Sequence, residues 1–446
     1  MRAIREQIRV EGPKVLDRRV LSFDLFFSPY VKNFFLSNRL VIEYPEDIDC
    51  VNTSILRIPA IASVVTLAWC IGADVYVDTL DKNFFACLDT VKSVMKKWYP
   101  QLSFSTKIIT EPVENNYQNN RYGVLFTGGI DSTTSYIKYR KKDLSLISIS
   151  GKGGSIDNQV QEKRLSTPLL GKKQKSSLIK TNIEQVINER LVLEKFGLNW
   201  WMNLSHGIVL SGHCAPLTVV KNVGTIILAS SFTQEFNFPW GSHPSLDNNI
   251  CWGSTRVVHD GFDTTRQEKI MYIIKEYVNE IGEFPPLRVC SRYKDAGKNC
   301  GKCEKCSRTI VGLLSEGIDP NRCGFDITSA SLDYFKKVLQ SGGFFGRRGI
   351  IERPAKLINR LYPIFEWQDI QLHLPKTFDH NLYDSVEFFE WFRHFNIQKK
   401  VTQIKLSQIP RLMLYSFFDL LAPASIILPK RMQIFLRKSF DYFFVK

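Results

Sequence analysis

The stretch Tyr122–Tyr136, YGVLFTGGIDSTTSY, constrains the fold of this chain more than any other. Tyr122 to Phe126 are apolar or aromatic residues and a glycine with no helix-forming run, Gly128-Gly129 break the pattern, and Asp131, Ser132 and Thr133 supply oxygens that cap helices. The segment therefore predicts a strand, a glycine turn and a helix start. N–H groups at such a start carry about half a positive charge, and paired glycines let the backbone approach an anion with no Cβ in the way. An oxyanion such as pyrophosphate is the guest this turn suits; the plainer reading is a strand-to-helix turn with Asp131 as a cap.

Far downstream, Cys290, Cys300, Cys303 and Cys306 form C-x9-C-x2-C-x2-C. Four thiolates at this spacing suit one tetrahedral zinc ion with no open position, which is a structural rather than a catalytic arrangement. Arg292, Lys294, Lys298, Lys302, Lys305 and Arg308 flank the sulfurs and are expected to lower the thiol pKa values. An iron–sulfur cluster, or a disulfide pair in an oxidising compartment, stays open on spacing alone. The other six cysteines, Cys50, Cys70, Cys87, Cys214, Cys251 and Cys323, stand among apolar neighbours and read as buried free thiols, which suits the cytoplasm.

The hexapeptide Thr127-Gly128-Gly129-Ile130-Asp131-Ser132 resembles the SGGxDS loop of the PP-loop ATP pyrophosphatases, with Thr127 at the usual Ser. It is not GxxxxGK[ST]. The resemblance implies a HUP-type parallel sheet and cleavage of ATP·Mg²⁺ between the α- and β-phosphates. Followed by a cysteine quartet, the loop is similar to that of 7-cyano-7-deazaguanine synthase and its relatives, over roughly Arg121 to Asp319. It implies that Thr127, Gly128, Gly129, Ile130, Asp131, Ser132 and Thr133 bind the nucleotide. Asp131 would orient magnesium or the loop. A carboxylate or carbonyl of the acceptor would be adenylated, and ammonia or an amine would displace AMP. Two alternatives are a tRNA-modifying thiolase of the same superfamily and a nucleotide-binding module of a larger assembly. The relatives' Tyr-Pro-Asp-Cys-Arg type run is absent, and Phe238-Pro239-Trp240-Gly241-Ser242-His243-Pro244 stands at its place, which leaves the acceptor open.

Around these motifs the 446 residues divide into three parts. Residues 1–118 read as an α/β unit without chemistry of its own: a strand at Leu40–Tyr44, an apolar helix at Leu56–Ile71, a strand at Ala73–Val77 and an amphipathic helix at Leu80–Trp98. The polar run Asn115–Asn120 is a linker. Residues 119–325 carry the loop, and strands at Leu144–Ser150, Ser177–Asn182 and Gly224–Ser230 predict βα units with ligands at the carboxyl ends of the strands. Gly151-Lys152-Gly153-Gly154 could approach the nucleotide, or is a flexible loop, as the basic stretch Lys163–Lys180 suggests. The N-terminus has no apolar core of a secretory signal.

Three further stretches bear on a site. The loop SSFTQEFNFPWGSHPSLD offers Trp240 for stacking, His243 for proton transfer and Asp247 for hydrogen bonds or magnesium; alternatively it is a rigid loop with a packed tryptophan. Thr265-Arg266 opens a helix where the resembled enzymes carry a phosphate-neutralising cation, so Arg266 joins Asp131 and Ser132 as a candidate catalytic residue. His259-Asp260 reads as a capping turn rather than a dyad. His206 and His213 fall in a small-residue helix packed on the sheet and read as core.

Residues 326–446 form a mostly helical, basic, aromatic-rich extension, with 18 Lys/Arg against 10 Asp/Glu from Ser331 onward, about half of the chain's +15. The ATP site upstream reads as complete without it. Three roles stay open: helices folded back on the core, an anionic membrane surface contacted through Leu412–Pro429 with flanking Lys405, Arg411, Lys430 and Arg431, or RNA held by interleaved aromatics and cations. The expected location is the cytoplasm, with peripheral membrane attachment as an option.

Overall fold

The structure is a computed structural model that describes residues 5–151, 177–290, 298–345 and 354–403, with backbone alone for 354–360. It is an α/β protein built, among the described residues, on one sheet of eleven strands: β1 (Gln7–Leu16), β2 (Val20–Phe27), β3 (Arg39–Glu43), β4 (Asp74–Asp81), β5 (Ile108–Val113), β6 (Arg121–Leu125), β7 (Leu144–Ser150), β8 (Ser177–Thr181), β9 (Val223–Ala229), β10 (Cys251–Trp252) and β11 (Thr255–Asp260). Their order is β10-β11-β9-β6-β7-β8-β3-β2-β1-β4-β5.

The first part of the chain shares this sheet with the second. β3 pairs antiparallel with β8 through Ile42–Thr181 and Glu43–Lys180. The β1/β2 hairpin, not among the sequence expectations, buries Ile8 and Val10 on one face and turns at Asp17 and Arg18, both with positive φ. Helix Ile58–Ile71 is buried along nearly its whole length and ends at Gly72 with φ +80°. It packs on helix His206–Val220 so closely that a Cβ on Gly212 would lie 2.5 Å from Ala62. Small residues there serve contact between helices of the two parts.

From β11 through β9, β6 and β7 to β8 every pairing is parallel. β6 is the first of these in the chain, with β7 on one side and β9 on the other, so the connections leave it in opposite directions. A crevice opens at such a switch point beyond the strand's carboxyl end, and Thr127–Ser132 follows β6 there.

A second core lies beyond the sheet. It joins Ile130 and Ile137 of helix Ile130–Tyr139, Ile270 and Ile274, the cysteine segment, and Trp367, Ile370, Phe388, Phe389 and Phe392 of the C-terminal helices. Trp367 is fully buried and stacks on Phe344, ring centroids 5.4 Å apart. The described residues of the extension, as far as Val401, are therefore folded back on the core, and Glu366 and Tyr362 reach Arg266, against the expectation that the upstream site is complete without it. The expectations for Lys152–Gly154, for most of Lys163–Lys180, and for Leu412–Pro429 with Lys405, Arg411, Lys430 and Arg431 lie outside the described residues. No helix of the described residues is long and apolar enough to cross a membrane.

Candidate functional site

The turn after β6 takes its shape from glycine. Gly128 has φ +79°, a conformation that side chains disfavour. Gly129 is the N-cap of helix Ile130–Tyr139 and faces open space: a Cβ there would meet nothing nearer than Thr127 Oγ1 at 3.8 Å. No side chain caps this helix, and its leading N–H groups have no partner within it. The sequence expectation that Asp131, Ser132 or Thr133 caps the helix is thus corrected. Ser132 Oγ instead closes the turn, accepting from Thr127 N at 3.3 Å and donating to Gly129 O at 3.3 Å. Thr133 is buried. An oxyanion placed against this start meets backbone donors and a positive dipole end.

Asp131 lies in the first turn, and both of its carboxylate oxygens hold cations. Arg266 Nη2 donates to Oδ2 at 2.7 Å and Lys269 Nζ to Oδ1 at 3.0 Å. Burial would raise the Asp131 pKa, but the two cations override it and hold the carboxyl well below the usual range. Arg266 and Lys269 share a helix start in which Thr265 and Glu268 form a reciprocal capping box. Lys269 is 3% exposed and also donates to Ser230 O at 2.9 Å, just past β9. It was missed in the sequence, although its place one turn after Arg266 sets both cations on one helix face.

The C-terminal extension completes this cluster. Arg266 Nη1 lies 3.1 Å from Glu366 Oε1, and Glu366 Oε2 lies 3.7 Å from Arg308 Nη1. Both guanidiniums lie over the Tyr362 ring, at 5.6 and 5.4 Å from its centroid. The Tyr362 hydroxyl donates to Ser231 O, and Gln267 N donates to Asp369 Oδ2 at 3.3 Å. None of Tyr362, Glu366 and Asp369 carried a sequence signal, because only the fold brings them back to the turn.

The four cysteines do meet. All ligand sulfurs lie within 4.8 Å of one another, with Cys290–Cys303 and Cys300–Cys306 both at 3.9 Å. A tetrahedron with bonds of about 2.3 Å has edges of about 3.8 Å, so the cluster could hold a metal such as zinc. All ten cysteines are free. Cys50 is exposed and Cys251 half-buried, a correction to the expectation that all six remaining thiols are buried.

Cys303 is the N-cap of helix Glu304–Ser315. Asn299 ties the strand-like approach together, its Oδ1 accepting from Val289 N and Cys290 N and its Nδ2 donating to Leu287 O and Gly324 O. Arg288 N donates to Gly128 O at 2.6 Å, so the cysteine segment touches the glycine turn itself. The expected basic collar is only partial. Arg308 turns to Glu366 and Tyr362, and Arg292 and Lys294 lie outside the described residues. The Cys306 thiol is pushed up, by its hydrogen bond with Cys303 and by burial.

The loop from Ser230 to His243 has neither helix nor strand, as its composition predicts. Trp240 is half-buried, its ring 4.9 Å from Phe232 and 5.7 Å from His206. His243 packs between Trp98 and Phe262 and accepts from Ser245 N at 3.1 Å; burial, then His259, pushes its pKa down. Asp247 is fully buried, accepting from Ser242 Oγ at 2.6 Å and pairing with His259 Nδ1 at 2.7 Å. His259 and Asp260 end β11 rather than forming a capping turn, and Asp260 accepts from Ser135 Oγ at 2.6 Å. His213 is fully buried and bonded to Val209 O and Thr181 Oγ1, as a core histidine should be.

No family model, curated protein or solved structure matches this chain.

Proposed function

We propose that this chain is an ATP-dependent ligase of the PP-loop type, which adenylates a carboxylate or carbonyl of its acceptor with release of pyrophosphate. The single observation that carries this reading is the turn at Thr127–Ser132: a left-handed glycine, an uncapped helix start and a twice-paired Asp131 at the switch point of a parallel sheet. ATP with Mg²⁺ would supply the activated phosphorus and the leaving group. Backbone N–H groups from Gly129 to Ser132 would hold departing pyrophosphate, and the Ser132 hydroxyl would fix the turn.

Asp131 serves best as the anchor of the loop. Its two oxygens are committed to Arg266 and Lys269, so it sets those cations beside the phosphates, where they offset charge as it separates. Zinc on Cys290, Cys300, Cys303 and Cys306 is structural in this reading, bracing the segment that reaches Gly128 through Arg288. The acceptor would approach from the Trp240 side, since Asp247 faces the core. ATP incubation with candidate acceptors and analysis of products tests the proposal: AMP and pyrophosphate are expected. Ser132→Ala should cut turnover by about two to three orders of magnitude. ADP and inorganic phosphate as products would overturn it.

A further inference from the structure

One cation of the cluster around Arg266 is incompletely satisfied. Arg308, 4% exposed, has an Nε and an Nη1 that make no hydrogen bond among the described residues. Its acids among the described residues stand off, Glu304 Oε1 at 3.5 Å and Glu366 Oε2 at 3.7 Å, both long for a charge-assisted bond of about 2.7–2.9 Å. Glu304 Oε1 is also buried and unbonded, and burial pushes this carboxyl's pKa up, which weakens it as a counter-ion. On the other side Arg266 reaches Glu366 Oε1 at 3.1 Å. One carboxylate from the C-terminal helix Pro354–Leu372 thus spans two guanidiniums, one oxygen to each, and fits the second poorly.

We infer that Arg266 and Arg308 form a binding site for a phosphate-type oxyanion, and that Glu366 occupies this site in the resting chain and is displaced by the ligand. Two oxygens of a phosphate are spaced much as those of a carboxylate, so the same bridge forms. A phosphate carries more charge and a further oxygen, which can reach the unbonded Nε of Arg308. The Tyr362 ring, one helical turn before Glu366 and under both guanidiniums, holds them in place while the carboxylate leaves. The C-terminal helix then senses the anion, because Glu366 and ligand compete for the same two cations.

Titration calorimetry with pyrophosphate on the full chain tests this. Glu366→Gln removes the competitor and should tighten pyrophosphate binding about tenfold, whereas Arg308→Gln should weaken it about tenfold or more. Tightening by a neutral substitution is not expected of a purely structural ion pair. In the unmutated protein, pyrophosphate should raise amide exchange over residues 361–372, a readout independent of how the variants fold. Glu366→Gln binding no tighter, Arg308→Gln binding as the parent does, or unchanged exchange in that helix would each overturn the inference. Parallel titrations identify the source of the anion. Loss of ATP but not AMP affinity in Arg308→Gln assigns the site to the nucleotide's own phosphates. Loss of inorganic phosphate binding at saturating ATP assigns it to a second molecule. The site stands apart from the ligase reading: anion binding with this mutational pattern but without AMP formation would defeat that reading alone.

Discussion

Replacing Asp131 by Ala should destabilise the protein by about 3–5 kcal/mol, the usual cost of leaving a buried charge without its partner. The charge at issue is that of Lys269. Arg266 keeps Glu366 and the Tyr362 ring when Asp131 is removed, but Lys269, 3% exposed, keeps among the described residues only the Ser230 carbonyl. Asp131 is itself 17% exposed, so little solvent screens the loss. Urea unfolding followed by tryptophan fluorescence reads the effect, and a second substitution apportions it. In Asp131→Ala/Lys269→Met neither charge remains, and most of the loss should be recovered, because removing both partners of a buried pair is far cheaper than removing one. The pH dependence has a fixed sign. Asp131's folded pKa is depressed, so its contribution is fully present above the unfolded value of about 3.9 and fades as pH falls toward the folded one. The parent protein should lose its advantage over Asp131→Ala in that acid window and nowhere above it. A cost below about 1 kcal/mol at neutral pH, or a double variant no more stable than the single one, would refute the reasoning.

The cysteine cluster should carry one metal per chain, and Cys303→Ser should lower thermal stability before it alters chemistry, which calorimetry with elemental analysis checks. Metal binding should release protons and weaken with falling pH, because the Cys306 thiol is held up in the metal-free cluster. Trp367→Ala, at a fully buried position against Phe344, should cost about 3–5 kcal/mol in urea unfolding. A chain ending at Gly343 should aggregate rather than bind nucleotide, since Ile310, Phe335 and their neighbours lose the aromatic helices that cover them; a soluble, cooperative truncated chain would contradict this.

The parallel half of the sheet was legible because its strands are largely buried and read as apolar or β-branched runs. Leu144–Ser150 is such a run, and its bounds match the structure; Val223–Ala229 is shifted by a single residue. The β1/β2 hairpin was not legible. β1 alternates only over residues 7–11, burying Ile8 and Val10, and Gly12-Pro13 then interrupt it, so the run that marks a strand is short. The junction of β3 with β8 rests on two residue pairs that lie far apart in the chain, and no local pattern announces a pairing of that range.

The site divides along the same line. The glycine turn and the cysteine quartet are local motifs, in which spacing along the chain fixes spacing in space, and both were readable. The ion cluster is not local: Asp131, Arg266, Arg308 and Glu366 come from four helices, and acidic residues on an amphipathic helix ordinarily face water. Glu366 is informative because it does the opposite. At 3% exposure, a carboxylate survives only where cations repay its lost hydration, so burial of this one residue locates the C-terminal helix against Arg266 and Arg308. An extension that inserts its own anion among the cations beside the turn belongs to that cluster, and Glu366 ties the C-terminal helix to it through Arg266 and Arg308.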